Sequence, residues 1–293
     1  MKVAVVGFGM MGRQITQVFA QYGHQVSVTD ENKDALASGL REISDGRYGV
    51  KSAISRGKLS QEQASKILEA IRTFPTIEEA CRNSDLVIEA VFEDVKLKQN
   101  VLSRLDSQAP KTALLASNTS TLGISQISLP VSNKNRVVGM HFFNPAQVTK
   151  LVEIVKGDHT SSDTVQEASR IVEMIGKTPI IARDEPGFVA NRLGLTLYME
   201  ASRLFEENVA TIKDIDLAMK LGYNHPMGPF ETADLVGLDT RLRNLEALFQ
   251  QTGDAKWIPP KTLREMVNEG YLGDPSRKPE SKGGYYVYSE SCT

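Results

Sequence analysis

The sequence predicts an α/β fold: an N-terminal doubly wound, mostly parallel sheet with a helical arm, followed by an all-α C-terminal domain. Three observations predict it. As far as Ile181, short β-rich runs alternate with segments of helical period, the rhythm of a parallel sheet covered by helices on both faces. A glycine-rich turn, Gly7-Phe8-Gly9-Met10-Met11-Gly12, separates the first apolar run from the first helical segment. Beyond Ile181 the β-rich runs stop and the pattern is almost wholly helical.

Strands are expected at 2–6, 25–29, 86–90, 113–116, 137–140, 151–155 and 178–181. The first helix places Met11, Ile15, Val18 and Tyr22 on one face, with Phe19 beside them. The stretch 32–71 holds no strand pattern and reads as two helices, the second opening with Ser60 and Gln63 in capping-box spacing. The turn between them, Arg56-Gly57-Lys58, is basic, and Arg47 and Lys51 precede it. Such charge fits a solvated hairpin or an arm that meets a phosphorylated ligand. Asp184-Glu185-Pro186-Gly187 is a turn-forming break, which divides the chain into domains 1–184 and 185–293. After it, Val189, Leu193, Leu197, Ala201 and Leu204 form an apolar stripe at helical spacing. A helix over 212–221 is expected to end with Gly222 at C′, where a positive φ suits glycine. Further helices are expected at 230–236, 239–251 and 260–269.

Composition narrows the function. The 293 residues are 41% hydrophobic and 24% charged, with a net charge of −2. That balance lacks the basic excess with which nucleic acid or an anionic membrane is bound, so neither is expected as a partner. Cys81 and Cys292 form no spaced pair, so neither a metal site nor a disulfide framework is expected. The run 3–6 is too short for a signal segment, and no stretch approaches the roughly 20 apolar residues of a membrane helix. The expected location is cytoplasmic.

The glycine turn follows a strand and opens an amphipathic helix, the context in which G-x-G-x-x-G signals dinucleotide binding. Gly7 makes the tight turn, Gly9 admits the pyrophosphate, and Gly12 lets the helix pack against the sheet. Helix N-terminal amides then receive the pyrophosphate. Asp30 ends the second strand, where a carboxylate accepts from both adenosine ribose hydroxyls and repels a 2′-phosphate; this favours NAD. The alternative for these four residues is a plain strand-turn-helix unit with a capping aspartate.

Two further segments end strands at the edge where such sheets bind ligands: Ser117-Asn118-Thr119-Ser120 and His141-Phe142-Phe143-Asn144-Pro145. Glu153 lies inside the apolar run 151–155, and a buried carboxylate needs a partner. A reversal at Asn144-Pro145 would return Glu153 beside His141. Such a pair fixes the imidazole tautomer and stabilises the imidazolium. Alone, His141 reads equally as a satisfied core histidine or as a base. His24 and His159 read as solvated, and His225 as a structural turn residue.

These segments resemble the 3-hydroxyacyl-CoA dehydrogenase family, including its short bacterial 3-hydroxybutyryl-CoA type. The resemblance runs through the glycine turn, 117–120, 141–145 and Lys150-Leu151-Val152-Glu153. It continues with Pro186-Gly187-Phe188-Val189-Ala190-Asn191-Arg192 and Pro226-Met227-Gly228-Pro229-Phe230-Glu231, and so covers essentially the whole chain in order. It implies a Rossmann-type first domain and NAD-dependent interconversion of (S)-3-hydroxyacyl-CoA and 3-oxoacyl-CoA. By the same resemblance His141 is the base, Glu153 its partner, and Ser120 and Asn191 hold the reacting oxygen. Gly7, Gly9, Met11, Gly12 and Asp30 would bind the dinucleotide, with Glu93, Lys98, Asn118 and Asn144 around the nicotinamide and its ribose. The basic arm would contact CoA, and the helical domain would form a homodimer. Thr121, Gly123, Ala146, Gln147 and Thr149 depart from the usual family residues near the expected acyl path. The rival readings are a dehydrogenase of a free hydroxy acid and a non-catalytic NAD-binding protein on the same fold.

Overall fold

Val3, Ala4 and Val5 are wholly buried, as a strand covered on both faces requires. They belong to the central strand in a computed structural model that describes residues 1–291. Cys292 lies outside the described residues, and Cys81 is a buried free thiol. The chain divides into two units, Met1–Phe188 and Val189–Thr293.

In the first unit the order is β1 (Lys2–Val6), α1 (Met10–Gln21), β2 (Gln25–Thr29), α2 (Lys33–Asp45), α3 (Val50–Ser55), α4 (Gln61–Glu69) and β3 (Ile71–Thr73). It continues with α5 (Ile77–Cys81), β4 (Leu86–Glu89), α6 (Val95–Gln108), β5 (Leu114–Ser117) and α7 (Ile124–Ile127). After a 3₁₀ turn at Lys134–Arg136 come β6 (Val137–Phe142), β7 (Leu151–Lys156), α8 (Ser162–Met174) and β8 (Thr178–Arg183).

The eight strands form one sheet in the order β3-β2-β1-β4-β5-β6-β7-β8. All neighbours are parallel except β6 and β7. The chain winds outward from β1 to β3 and then returns to β4, so the carboxyl edge between β1 and β4 is the topological switch point. One face is covered by α1, α2, α4 and α8, with Ile15, Phe19, Ile43, Ile67 and Ile171 in the core. The other is covered by α5, α6 and α7 through Ile77, Leu102, Leu105 and Ile127.

Several expectations are corrected. The arm holds three helices, because Gly46 ends α2 and Gly49 starts α3 in a fold too tight for a side chain: a Cβ on Gly49 would lie 2.8 Å from the Ile43 carbonyl oxygen. β3, which was not expected, begins at the last residue of the stretch 32–71; with three residues it is too short to display alternation. Tyr22 caps α1 and is half exposed instead of joining the core face. Gly222 stays helical as the last residue of the helix Ile212–Gly222, and the positive φ falls on Asn224, which tolerates it. His24 is buried rather than solvated, with its ring 5.8 Å from that of Phe19 and its Nδ1 facing the Met1 amine. Burial, then the charge of that amine, pulls its pKa down.

The second unit contains α9 (Ala190–Glu206), α10 (Ile212–Gly222), α11 (Pro229–Val236), α12 (Leu238–Thr252), a 3₁₀ turn at Ala255–Trp257, α13 (Lys261–Asn268) and α14 (Tyr285–Ser291). The core face of α9 runs through Leu195, Tyr198 and Ala201, whereas Leu193 of the expected stripe is 67% exposed. Two carboxylates organise the remaining helices. Asp216 accepts from the amides of Phe230 and Glu231 and from the Tyr286 hydroxyl. Asp234 accepts from the Tyr285 amide at 2.9 Å.

Burial pushes the Asp234 carboxyl up to about 6, against the amide hydrogen bonds of Tyr285 and Tyr286 and with the help of the Asp216 charge. The ordinary value is about 3.9, so between these limits the folded chain keeps a proton that the unfolded chain releases. The stability from this group is complete below the lower value and is lost as pH rises through about 6. Asp234→Asn should therefore remove a fall in stability between about pH 4 and 6 that the parent shows. Denaturant titrations across that range, read from the single tryptophan, Trp257, would check it; parallel pH profiles for the two proteins would refute it.

Candidate active site

At the switch point Gly7 has φ 93°, and its amide donates to the Thr29 carbonyl at 2.9 Å. A Cβ there would lie 2.7 Å from the Ala90 backbone. A Cβ on Gly12 would collide with the Gly7 carbonyl oxygen, so this glycine is what lets α1 sit on the turn. Gly9 differs: a Cβ would meet nothing within 4 Å. It is the N-cap of α1, and no side chain caps that end. Helix amides and open space thus coincide, as an anion requires. Met11 follows in the first turn, half-buried.

Asp30 lies beside this turn. Its Oδ2 accepts from the Phe8 amide at 2.6 Å and its Oδ1 from the Asn32 amide at 2.8 Å. Both oxygens are held by backbone and each keeps lone pairs for ribose hydroxyls. The open side of Gly9 and the fixed carboxylate together fit a dinucleotide.

Past β4, the Glu93 Oε1 accepts from the amides of Ser120 and Thr121, at 2.9 and 3.0 Å, and from the Thr119 hydroxyl at 2.6 Å. Lys98, 1% exposed, faces the other Glu93 oxygen at 3.3 Å. Burial raises the Glu93 pKa, but the Lys98 charge and these hydrogen bonds outweigh it and hold it below the usual range. Ser120 is therefore presented from a loop fixed by Glu93. Asn118 Oδ1 accepts from the Phe142 amide at 2.9 Å, which ties this loop to β6.

β6 carries His141 inside the strand, because the strand extends to Phe142. The antiparallel register sets His141 opposite Glu153 of β7, and Nδ1 lies 2.7 Å from Oε2. Glu153 is wholly buried and His141 is 6% exposed. The Phe143 and Phe188 rings pack near the imidazole, at 4.4 and 5.8 Å between centroids. With Nδ1 engaged by the carboxylate, Nε2 carries the lone pair that accepts a proton.

Asn144 Oδ1 accepts from Gln14 Nε2 at 2.9 Å, and Gln14 Oε1 accepts from the Ala146 amide at 2.7 Å. Gln17 Oε1 accepts from Gln147, and Gln17 Nε2 donates to the Tyr48 carbonyl of the arm. Lys177 clamps the same loop through the carbonyls of Ala146 and Thr149. Sequence reasoning missed Gln14, Gln17 and Lys177. The signal available was two amides, three positions apart, on a helix that packs against the sheet.

Asn191 lies in the first turn of α9, in the second unit, while the other candidates belong to the first. In the arm, Lys51 pairs with Asp45 at 2.6 Å, and Arg56 donates to the Arg47 carbonyl. Among the described residues there is no cluster of three potential metal ligands, and no helix is long and apolar enough to cross a membrane.

Known proteins match the chain over both of its units. Residues 2–185 match the family model of the NAD binding domain of 3-hydroxyacyl-CoA dehydrogenase, and residues 187–283 that of its C-terminal domain. A probable 3-hydroxybutyryl-CoA dehydrogenase of Bacillus subtilis is 38% identical over 292 residues, covering 100% of this chain and 99% of the relative. The 3-hydroxybutyryl-CoA dehydrogenase of Clostridioides difficile is 36% identical over 290 residues, covering 99% and 100%. The crystal structure of (S)-3-hydroxybutyryl-CoA dehydrogenase from Ralstonia eutropha superposes with a TM-score of 0.87 at 35% identity, over 94% of this chain and 96% of that one.

The glycines make separable predictions. Gly9→Val should leave thermal stability nearly unchanged yet weaken NADH binding at least ~10-fold, because the side chain enters the anion's space. Gly12→Ala should lower the melting temperature, because its Cβ meets backbone. Fluorescence titration and thermal melts distinguish them; tight NADH binding by Gly9→Val would contradict the placement of the cofactor.

Proposed function

The chain belongs to the 3-hydroxyacyl-CoA dehydrogenase family, NAD-dependent oxidoreductases of fatty acid metabolism, and we propose that it performs the family reaction with His141 as general base and Glu153 as its partner. The observation that carries this assignment is the buried His141–Glu153 pair at 2.7 Å. Oxidation of the 3-hydroxyl removes a proton from oxygen and a hydride from carbon. Glu153 accepts from Nδ1–H, which leaves Nε2 free of hydrogen to take the hydroxyl proton, and it then stabilises the imidazolium. Positioned proton transfer of this kind contributes roughly 10²–10⁴-fold. NAD, when bound, accepts the hydride.

Ser120, on the loop held by Glu93, orients the reacting oxygen, and the family pattern gives Asn191 the same task. Gly7, Gly9, Met11, Gly12 and Asp30 hold the dinucleotide, and Glu93, Lys98, Asn118 and Asn144 surround its nicotinamide end. The substrate is an acyl-CoA thioester, and the basic arm, with Arg47, Lys51, Arg56 and Lys58, meets CoA phosphates. We assign residues 1–184 to the NAD-binding domain and 185–293 to a helical domain for substrate binding and homodimer formation. Exposed Leu221 and Tyr223 on the second unit support an association surface there. The protein works in the cytoplasm.

NADH consumption should proceed with acetoacetyl-CoA and not with acetoacetate. Preference for the free acid would move the protein to a different substrate class, and NADH binding without turnover of either would remove the enzyme assignment. His141→Gln should lower kcat by at least ~10²-fold while NADH affinity stays within about threefold. Loss of NADH binding in that variant would show that His141 is misassigned.

A further inference from the structure

Glu89 and Ser117 are both wholly buried, and the proton and hydride steps use neither. Glu89 ends β4, directly after the apolar Leu86-Val87-Ile88, where a buried charge is costly unless it is fully satisfied. It is well supplied with donors. Its Oε1 accepts from Lys98 Nζ at 2.8 Å and from the Val91 amide at 2.7 Å. Its Oε2 accepts from the Ser117 hydroxyl at 2.6 Å. One carboxylate therefore joins α6, the turn after β4, and the end of β5.

Lys98 transmits that anchorage. Its ammonium donates to Glu89 and to the Val91 carbonyl at 3.2 Å, and it faces Glu93 at 3.3 Å. With Glu89 and Val91 fixing the ammonium, Glu93 meets a cation that cannot swing. The other Glu93 oxygen holds the amides of Ser120 and Thr121. Ser117 adds a shorter route, because its oxygen also accepts from the Thr119 amide at 3.3 Å.

We infer that Glu89 is a positioning residue for the Ser120 loop, acting through Lys98 and Glu93, with Ser117 as its second handle on that loop. The inference rests on the reading of Ser120 as a residue that holds the substrate oxygen. A loop released by even about 1 Å can cost ~10²-fold in rate, whereas cofactor binding at the glycine turn has no reason to suffer.

The test is a double-mutant cycle of Glu89→Gln and Glu93→Gln with three readouts: turnover of acetoacetyl-CoA, NADH affinity, and amide hydrogen exchange of residues 118–122 without ligands. Glu89→Gln alone should lower kcat about tenfold or more, with the thioester KM and NADH Kd within about threefold. Exchange at Ser120 and Thr121 should accelerate. In the Glu93→Gln background the same change should cost no more than about threefold, because the route through Lys98 and Glu93 is already cut and only the Ser117 handle is left to lose. A merely structural Glu89 would give multiplying effects and unchanged exchange at 118–122, and either result overturns the inference. If Glu89→Gln does not fold, Ser117→Ala keeps every charge; it should accelerate exchange at Thr119 and lower kcat about threefold, and a parent-like variant would count against the inference. Should the parent not reduce acetoacetyl-CoA, the functional reading fails, while the exchange arm still decides whether Glu89 holds the loop.

Discussion

Glu153 sits in the middle of an apolar strand with no exposure to solvent, and a carboxylate in that position is costly unless an opposite charge or strong donors meet it. The antiparallel reversal between β6 and β7 meets that need, since it alone places His141 directly across the ladder. A parallel β7 would need a crossover connection, and the eight residues between Phe142 and Leu151 are too few for one. The antiparallel break in the sheet and the His141–Glu153 pair, the one histidine–carboxylate pair among the described residues, are thus a single constraint. The buried partner orients the ring, and the strand that carries it fixes the ring at the sheet's carboxyl edge.

The same edge handles its other charges by different means. Glu93 keeps its proton off because Lys98 and backbone and hydroxyl donors outweigh burial. Asp30, only half-buried, is held by two amides and retains acceptor capacity for hydroxyls. The anion site at Gly9 uses no side chain, only helix amides and space. The three surroundings differ accordingly: a fully satisfied carboxylate that holds a loop, a half-open one with acceptor capacity left, and an uncapped helix end beside open space.

Most of the cofactor end was legible in the sequence because its constraints are local. The glycines follow from their spacing at one strand-helix turn, with Gly12 set against the Gly7 carbonyl five positions before it, and Asp30 follows from the length of one strand-helix-strand unit. The pairing of His141 with Glu153 was legible because a carboxylate in an apolar run needs a partner and a reversal at Asn144-Pro145 would return it, but the register was not, since the expected strand stopped at Met140 and β6 runs to Phe142. What stayed hidden depends on packing between distant segments. β3 has only three residues and its identity as a strand comes from pairing with β2. His24 is polar in sequence yet buried by Phe19 and the N-terminus. Asp216 acquires meaning from the start of α11, fourteen positions on, and from Tyr286 of α14, seventy positions on, and Asp234 from Tyr285, fifty-one positions on. The links from Gln14 and Gln17 to the 144–147 loop span about 130 positions, far beyond any spacing rule.

Those two glutamines also bear on the departures from the family pattern. Gln147 donates to Gln17, and Gln17 donates onward to the arm at Tyr48, so a residue that breaks the usual apolar run ties its loop to α1 at the side chain that also holds the arm. Ala146 is buried, its amide held by Gln14 and its carbonyl by Lys177. The altered loop is therefore supported by polar contacts on its inner side, where a more apolar version would rely on packing. The His141–Glu153 pair lies across β6 and β7 and is held independently by their ladder. Substitution in the loop changes these polar supports and leaves the His141–Glu153 geometry to the sheet.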